Sequence, residues 1–347
     1  MAHRVTVFTF ISESRMEQVD TERRSRLLAL KLRALIREHL GLSGDPDGRV
    51  EVFAPGAAFI TNDAVWLLID GNAARALGGV LAWGTKFELP IHLVVENDSG
   101  LLARRAALFD VEITVWHADE RVLLPALAEP HLPTTQAKPE HLAFTELIQS
   151  SGADALVEHG IVVGEVRGLE MCRVVDDVVS GVARLEVGMG VNDREAFAMV
   201  HGELPTEQAL RNVIDAVAIH REPGANVHPF NQFGAERMHR WRALQDPTSI
   251  GFSRLDPVDP PVKRTNLKDA VPCAAIGSTD SGNLSAAIFV HGVDLDVVPF
   301  AVDTASRLGI DEVTIVARRQ DITPSIERLA NMASVFVRFA FISSPTA

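Results

Sequence analysis

The sequence predicts an α/β protein in which two similar βαβαβ-containing units flank a central α+β segment with a β-hairpin. Three observations predict it. Val65–Asp70 (VWLLID), Ile91–Glu96 (IHLVVE) and Ile113–His117 (ITVWH) are continuous apolar runs of strand length, separated by helix-length segments. Strands buried on both faces of an α/β sheet read in this way. A second set, Ala287–His291, Val313–Arg318 and Val335–Phe339, lies under the first at one constant shift, position 65 falling on 287, 91 on 313 and 113 on 335. Such self-similarity predicts an internal pseudo-repeat. Finally, Pro-rich polar stretches interrupt the chain twice, so the expected organisation is a first unit over 1–125, a linker at 126–140, a central segment over 141–246, a linker at 247–264 and a second unit over 265–347.

The elements follow in order. Residues 3–12 read as a short strand through Val5, Val7, Phe8, Phe10 and Ile11. Asp20 and Thr21 offer N-caps to a helix running to about His39, with Leu28, Leu32, Leu35, Ile36 and Leu40 as its apolar face at helical spacing and Gly41 as its stop. Its basic residues, among them Arg24, Lys31 and Arg33, are expected on a solvated face. Strands are predicted at 49–54, 57–61 and 65–70, a helix at 73–87, a strand at 91–96, a helix at 101–109 and a strand at 113–117. The central segment opens with a helix near 140–151. A hairpin over 161–175 and a strand at 182–190 come next, then helices at 206–221 and 231–245. The second unit reads as strands at 271–277 and 287–291, a helix at 295–308, a strand at 313–318, a helix at 323–333 and a last strand at 335–339.

Composition narrows the function classes. Hydrophobic residues make up 47% and charged residues 23% of the chain, the balance of a folded globular protein. The net charge of −13 argues against an extended nucleic-acid surface, which needs clustered Lys and Arg. Tyrosine is absent, which removes much of the stacking equipment of single-strand binders. Cys172 and Cys273 match no metal-ligand spacing and read as buried thiols of a reduced, cytoplasmic protein. The first 20 residues lack a signal-peptide pattern, and no window approaches the roughly 20 apolar residues that span a bilayer, so a soluble protein with no membrane association is expected.

The chemistry-bearing stretch is 161–203, which sets Glu165, Glu170, Glu186 and Asp193 in or beside runs of Val, Leu and Met. Buried carboxylates are costly unless paired or metal-bound. By strand alternation Glu170 shares a face with Gly164, Val166 and Gly168, and Glu165 shares the other with Arg167. Two accounts follow. In the first, Glu165, Glu170 and Glu186 pair across strands with Arg167, Arg173 and Arg184. In the second, the carboxylates form a divalent-metal site: Glu170 and Glu186 hold Mg²⁺, Asp193 completes the set, and His201 or Arg194 assists a leaving group or phosphate.

The order helix, hairpin, strand, helix, strand over about 140–220 resembles the restriction-endonuclease-like fold. That family pairs an acidic residue with an (Asp/Glu)-x-Lys triplet. The corresponding triplet here is Glu186-Val187-Gly188, with glycine in the place of the lysine. The resemblance implies metal-dependent phosphodiester hydrolysis.

Other signals are thinner. His201, His220, His228 and His239 crowd one region without zinc-type spacing. The helix after the Pro223–Pro229 loop carries Arg237, Arg240 and Arg242, and is expected to turn Phe233, Met238 and Trp241 inward. Neither a GxGxxG fingerprint after the first strand nor a P-loop occurs, and there is no GxSxG. Two functional expectations result. One is a non-catalytic structural or interaction component that binds an unidentified protein partner or itself. The other is a divergent, divalent-metal-dependent hydrolase built on the carboxylate cluster.

Overall fold

The computed structural model describes residues 22–190, 194–195, 206–222, 225, 228–231, 233–264 and 269–342. It is a mixed α/β protein, and the described residues form three sheets. By internal contacts the chain divides into two compact units, Met1–Pro130 and His131–Ala347. The strand read at 3–12 lies outside the described residues.

In the first unit a helix over 22–39 (α1) precedes β1 (Arg49–Glu51), β2 (Gly56–Ile60) and β3 (Val65–Ile69). Helix α2 (Leu77–Gly84), β4 (Ile91–Val95), α3 (Ser99–Ala106), β5 (Ile113–Asp119) and β6 (Val122–Pro125) follow. The sheet order is β1-β2-β3-β4-β5-β6. Neighbours pair antiparallel up to β3, β3-β4-β5 run parallel, and β6 returns antiparallel. Parallel neighbours need a crossover, and α2 and α3 supply it. The apolar stripe of α1 is buried where its spacing predicted at Leu32, Leu35 and Ile36, which pack with Phe59, Trp66, Leu68 and Val94; Leu28 is partly buried, and Leu40, just past the helix end, is 50% exposed. Its basic face also behaves as expected, with Arg24 on Asp70 and Lys31 on Glu96 as exposed ion pairs.

The second unit begins with short helices α4 (Pro139–Leu142) and α5 (Thr145–Ser150). Four strands then run as β7 (Asp154–Glu158), β8 (Ile161–Val166), β9 (Leu169–Asp176) and β10 (Ala183–Val187). They form a meander in the order β10-β9-β8-β7, antiparallel throughout. Helices α6 (Thr206–Ala218) and α7 (Ala235–Gln245) follow. A second sheet has the order β11-β12-β13-β14-β15, with strands Phe252–Val258, Cys273–Thr279, Leu284–Phe289, Glu312–Ala317 and Phe336–Phe341. It is antiparallel to β13 and parallel from there on, through α8 (Val297–Leu308) and α9 (Pro324–Asn331).

Three differences from the sequence reading have physical reasons. Residues 252–258, read inside a linker, form edge strand β11; Pro257 is tolerated there because an edge strand leaves some N–H groups without a ladder partner. Strand β7 was missed because its alternation is broken by charged ends, Asp154 and Glu158. The meander also lacks the parallel strand that a restriction-endonuclease-like order over 140–220 requires, since all of its described pairings are antiparallel.

The two larger sheets share the pairing sequence of three antiparallel strands followed by parallel crossovers. Their registers are not related by one shift. Val65 pairs with Ile91 but Ala287 pairs with Thr314, one residue further on; Ile91 pairs with Ile113 but Val313 pairs with Val337, two residues further on. The gapless alignment of the sequence therefore slips between strands, and a one-residue slip exchanges the faces of a strand.

Candidate functional site: a buried carboxylate–guanidinium network

The site grows from a tight hairpin. Strands β8 and β9 are joined through Arg167 and Gly168, both with positive φ (48° and 84°), the conformation of a two-residue type I′ turn. Because the turn takes both residues out of the strands, alternation does not run through it. Glu165 pairs directly with Glu170 across the hairpin, so the two carboxylates share one face rather than lying on opposite faces as the alternation predicted. Like charges set opposite each other repel, and this placement demands cations.

Helix α7 supplies them. Gly168 meets its backbone so closely that a Cβ there would lie 2.4 Å from the Arg237 carbonyl carbon and 2.5 Å from the Met238 nitrogen. Seated this way, the helix turns its charged side inward: Glu236, Arg237, His239 and Arg240 are buried, while Met238 and Trp241 are only partly covered. Phe233, Met238 and Trp241, expected to pack inward, are all three only partly covered, Phe233 against the core of the meander, and the charged residues take the most buried positions. Apolar periodicity misleads here because the surface that α7 covers is acidic. Gly168→Ala is expected to cost about 3 kcal/mol or more, from the positive φ and the contact with helix backbone together; chemical denaturation measures it, and a loss below about 1 kcal/mol would refute the close approach.

The ion pairs are short and buried. Arg237 Nη1 donates to Glu165 Oε1 at 2.8 Å, and Arg237 Nη2 to Glu158 Oε1 at 2.6 Å. Arg240 Nη2 reaches Glu165 Oε2 at 3.3 Å, and its Nη1 lies 3.6 Å from Glu158 Oε2. Two carboxylates and two guanidinium groups thus form a closed square. Glu165 is 2% exposed, so desolvation opposes its charge, yet the two arginines hold its carboxyl below the ordinary range. The same arginines bring Glu158 down to about 2 against its burial.

Two of the other three predicted carboxylates, Glu170 and Glu186, extend the network. Glu170 Oε1 is 2.7 Å from Arg173 and 3.5 Å from Arg194, and its Oε2 is 3.5 Å from Arg264. Glu186 Oε1 accepts from Arg184 at 2.8 Å and Oε2 from Arg194 at 3.2 Å. Arg173 and Arg184 do pair with Glu170 and Glu186, but each along its own strand, β9 or β10, rather than across strands as the first account expected. Arg167 does not pair with Glu165; its guanidinium sits over the Trp241 ring at 5.6 Å. Asp193 and His201, the remaining predicted site residues, lie outside the described residues. Arg221, which sequence reasoning missed, is buried on backbone carbonyls of Arg167, Phe230 and Phe233. No spacing signal in the sequence could have found it.

Beside the square opens a cavity of about 530 Å³ whose polar wall is made by Gln149, Asp154, Glu165, Arg240, Trp241 and Gln245. Burial raises the Asp154 carboxyl against the Trp241 hydrogen bond it accepts. Among the described residues no group of three or more His, Cys, Asp or Glu is placed to hold a metal ion. The histidines separate into pairs: His220 stacks on His228 at 3.8 Å, and His239 Nε2 meets His291 Nδ1 at 3.0 Å. The ends of β13 and β14 meet as well, with Asp321 accepting from Arg318 and from the Gly292 N–H. Cys172 and Cys273 are buried free thiols, both pushed up to about 12 by burial, which leaves little nucleophilic thiolate.

No family model, no curated protein and no solved structure matches this chain. The functional reading therefore rests on the geometry alone. Among the described residues no helix is long and apolar enough to cross a membrane.

Proposed function

We propose that this chain is a non-catalytic structural or interaction component, and that its central carboxylates are structural, Glu158 and Glu165 fastening α7 to the meander. One observation carries the reading: all six oxygens of Glu165, Glu170 and Glu186 are within ion-pairing distance of a guanidinium. A hard cation could join a carboxylate so held only by sitting against its guanidinium charges or by displacing an arginine, and either is costly. The metal-dependent hydrolase takes second place. It would require Glu170 and Glu186 to exchange arginine for Mg²⁺ and would draw on Asp193 and His201.

Addition of Mg²⁺ or Mn²⁺ is expected to leave the melting temperature unchanged. Glu186 is 27% exposed in its side chain, so Glu186→Gln is expected to cost under about 1 kcal/mol. A metal-induced rise in melting temperature that Glu186→Gln abolishes would reverse the order of the two readings.

We also propose that the two larger sheets descend from one duplicated unit. The shared pairing sequence supports it, and the one- and two-residue differences in register fall between strands, where crossover helices and loops absorb insertions. Separate profiles built from relatives of residues 49–119 and 252–341 should align with each other; failure to align would count against duplication. The buried, unpaired thiols support a reducing compartment, the cytoplasm, which cell fractionation tests.

A further inference from the structure

The three sheets end in six edge strands, and five of them are guarded against pairing with another chain. β1 has three residues, including Arg49 and Glu51, and β6 has four and ends in Pro125. β7 carries Asp154 and Glu158, and β10 carries Arg184 and Glu186. β11 has Pro257, Arg254, Asp256 and an irregular register at its start. Short length, charge, proline and bulges are the usual protections of a sheet edge.

β15 is the least guarded. It runs six residues, FVRFAF, without proline or a register shift; its single charge, Arg338, is paired with Glu312 of its own sheet at 3.3 Å, and the Arg319 guanidinium lies over the Phe341 ring at 3.8 Å. Phe336 is 64% exposed and the five residues after it are partly exposed. In the first unit the outer edge of β5 is covered by β6, whereas among the described residues no strand covers β15.

The phase of its hydrogen bonds fixes what can pair there. Phe336 N–H donates to Asp311 and Ile342 N–H to Ala317, so the even-numbered residues face β14. By the two-residue period, the N–H and C=O groups of Val337, Phe339 and Phe341 point away from the sheet. This outward set is symmetric about Phe339. An identical strand set antiparallel across a two-fold axis at Phe339 matches every outward donor to an acceptor: Phe339 with its own copy, and Val337 with Phe341 in both directions. The facing side chains are then Phe–Phe and two Val–Phe pairs, the cross-strand combinations that stabilise a sheet.

We propose that β15 is a homodimerisation edge, through which two copies of the chain join their five-stranded sheets antiparallel about a two-fold axis at Phe339. The proposal rests on the reading of the chain as an interaction component and names its partner as a second copy. A six-residue strand edge buries less than the about 800 Å² per partner of a standard interface. The dimer is therefore dissociable, in equilibrium with the monomer.

Sedimentation velocity over a concentration series is expected to show a monomer–dimer equilibrium for the wild-type chain. Phe339→Lys and Phe339→Glu each place like charges directly opposite across the axis, and each is expected to weaken dimerisation about tenfold or more. An equimolar mixture of the two is expected to restore the dimer, because only a two-fold axis at this residue sets Lys against Glu. Amide hydrogen exchange on the wild-type chain needs no variant. Protection at Val337, Phe339 and Phe341 should rise with protein concentration.

A wild-type chain that stays monomeric overturns the proposal, whether those amides are open to exchange or protected by another part of the same chain. A dimer that survives both variants overturns it too, since its interface lies elsewhere. The metal-response test is independent of association, so a failure here and a failure of the non-catalytic reading are distinguishable.

Discussion

Glu165→Gln is expected to destabilise the second unit by about 3–5 kcal/mol, the cost of breaking a buried ion pair while leaving its partners in place. The substitution is isosteric, so no cavity term enters. What it removes is the charge that two buried arginines share: Arg237 and Arg240 would be left with Glu158 as the only carboxylate of the square. The amide also presents N–H groups where the arginines offer only donors. Urea denaturation of the wild type and the variant measures the loss. The contrast with Glu186→Gln is diagnostic, because both residues are ion-paired glutamates and only burial separates them. If Glu165→Gln were as mild as Glu186→Gln, the square would contribute little to holding α7. Replacing both Glu165 and Arg240 with apolar residues of matching size should recover part of the loss, since a buried pair is costly mainly when it is half removed.

Acid is expected to unfold the chain in two overlapping stages. His239 is buried against His291, Arg242 and Arg318, with Asp321 the opposing charge, and burial first and those cations second lower its pKa to about 3. Its unfolded value is near 6.5. Between these values the unfolded chain binds a proton that the folded chain refuses, so the stability contributed by neutral His239 is complete above pH 6.5 and falls as the pH drops towards 3. The slope is about 1.4 kcal/mol per pH unit for one such group. His92, His159 and His291 are shifted downward as well, burial being the largest cause in each, and act in the same direction.

The second stage belongs to Glu158, whose folded value of about 2 lies below its unfolded value. Its stabilisation is present above about pH 4.5 and is lost as the pH falls from there towards 2. Calorimetric melting temperatures should therefore decline already between pH 7 and 5, before carboxylates titrate. His239→Gln should flatten that early decline while leaving the later one. A melting temperature constant from pH 7.5 to 5 would contradict the burial of His239 as a neutral ring.

Much of the architecture was legible in the chain because it depends on local pattern. The continuous apolar runs at 65–69, 91–95 and 313–317 became buried central strands β3, β4 and β14, since a strand covered on both faces has no room for polar alternation. The helical spacing of Leu32, Leu35 and Ile36 named the buried stripe of α1 correctly. Edges were harder. β6 is four residues ending in proline, and β7 and β11 mix charged with apolar residues; in sequence a guarded edge strand looks like a loop.

The candidate site divides along the same line. That Glu165, Glu170 and Glu186 stand in strands and need partners was readable, because a carboxylate among Val and Leu violates the ordinary burial preference. Which partners they take was not. Glu165 is satisfied by Arg237 and Arg240, more than 70 positions away on a helix whose spacing argued for the opposite orientation. The pairing of Glu165 with Glu170 likewise depends on a turn that Arg167 and Gly168 occupy, which shifts the face of every residue beyond it.

By itself the sequence determined the fold class, the positions of the central strands and the presence of buried acid in the middle of the chain, all consequences of interactions within a few residues. Tertiary structure decided which charges neutralise that acid, which sheet edges are guarded and which one is open. Those are long-range choices: desolvation makes a lone buried charge so costly that whichever arginine can reach it is selected by the packing of distant elements.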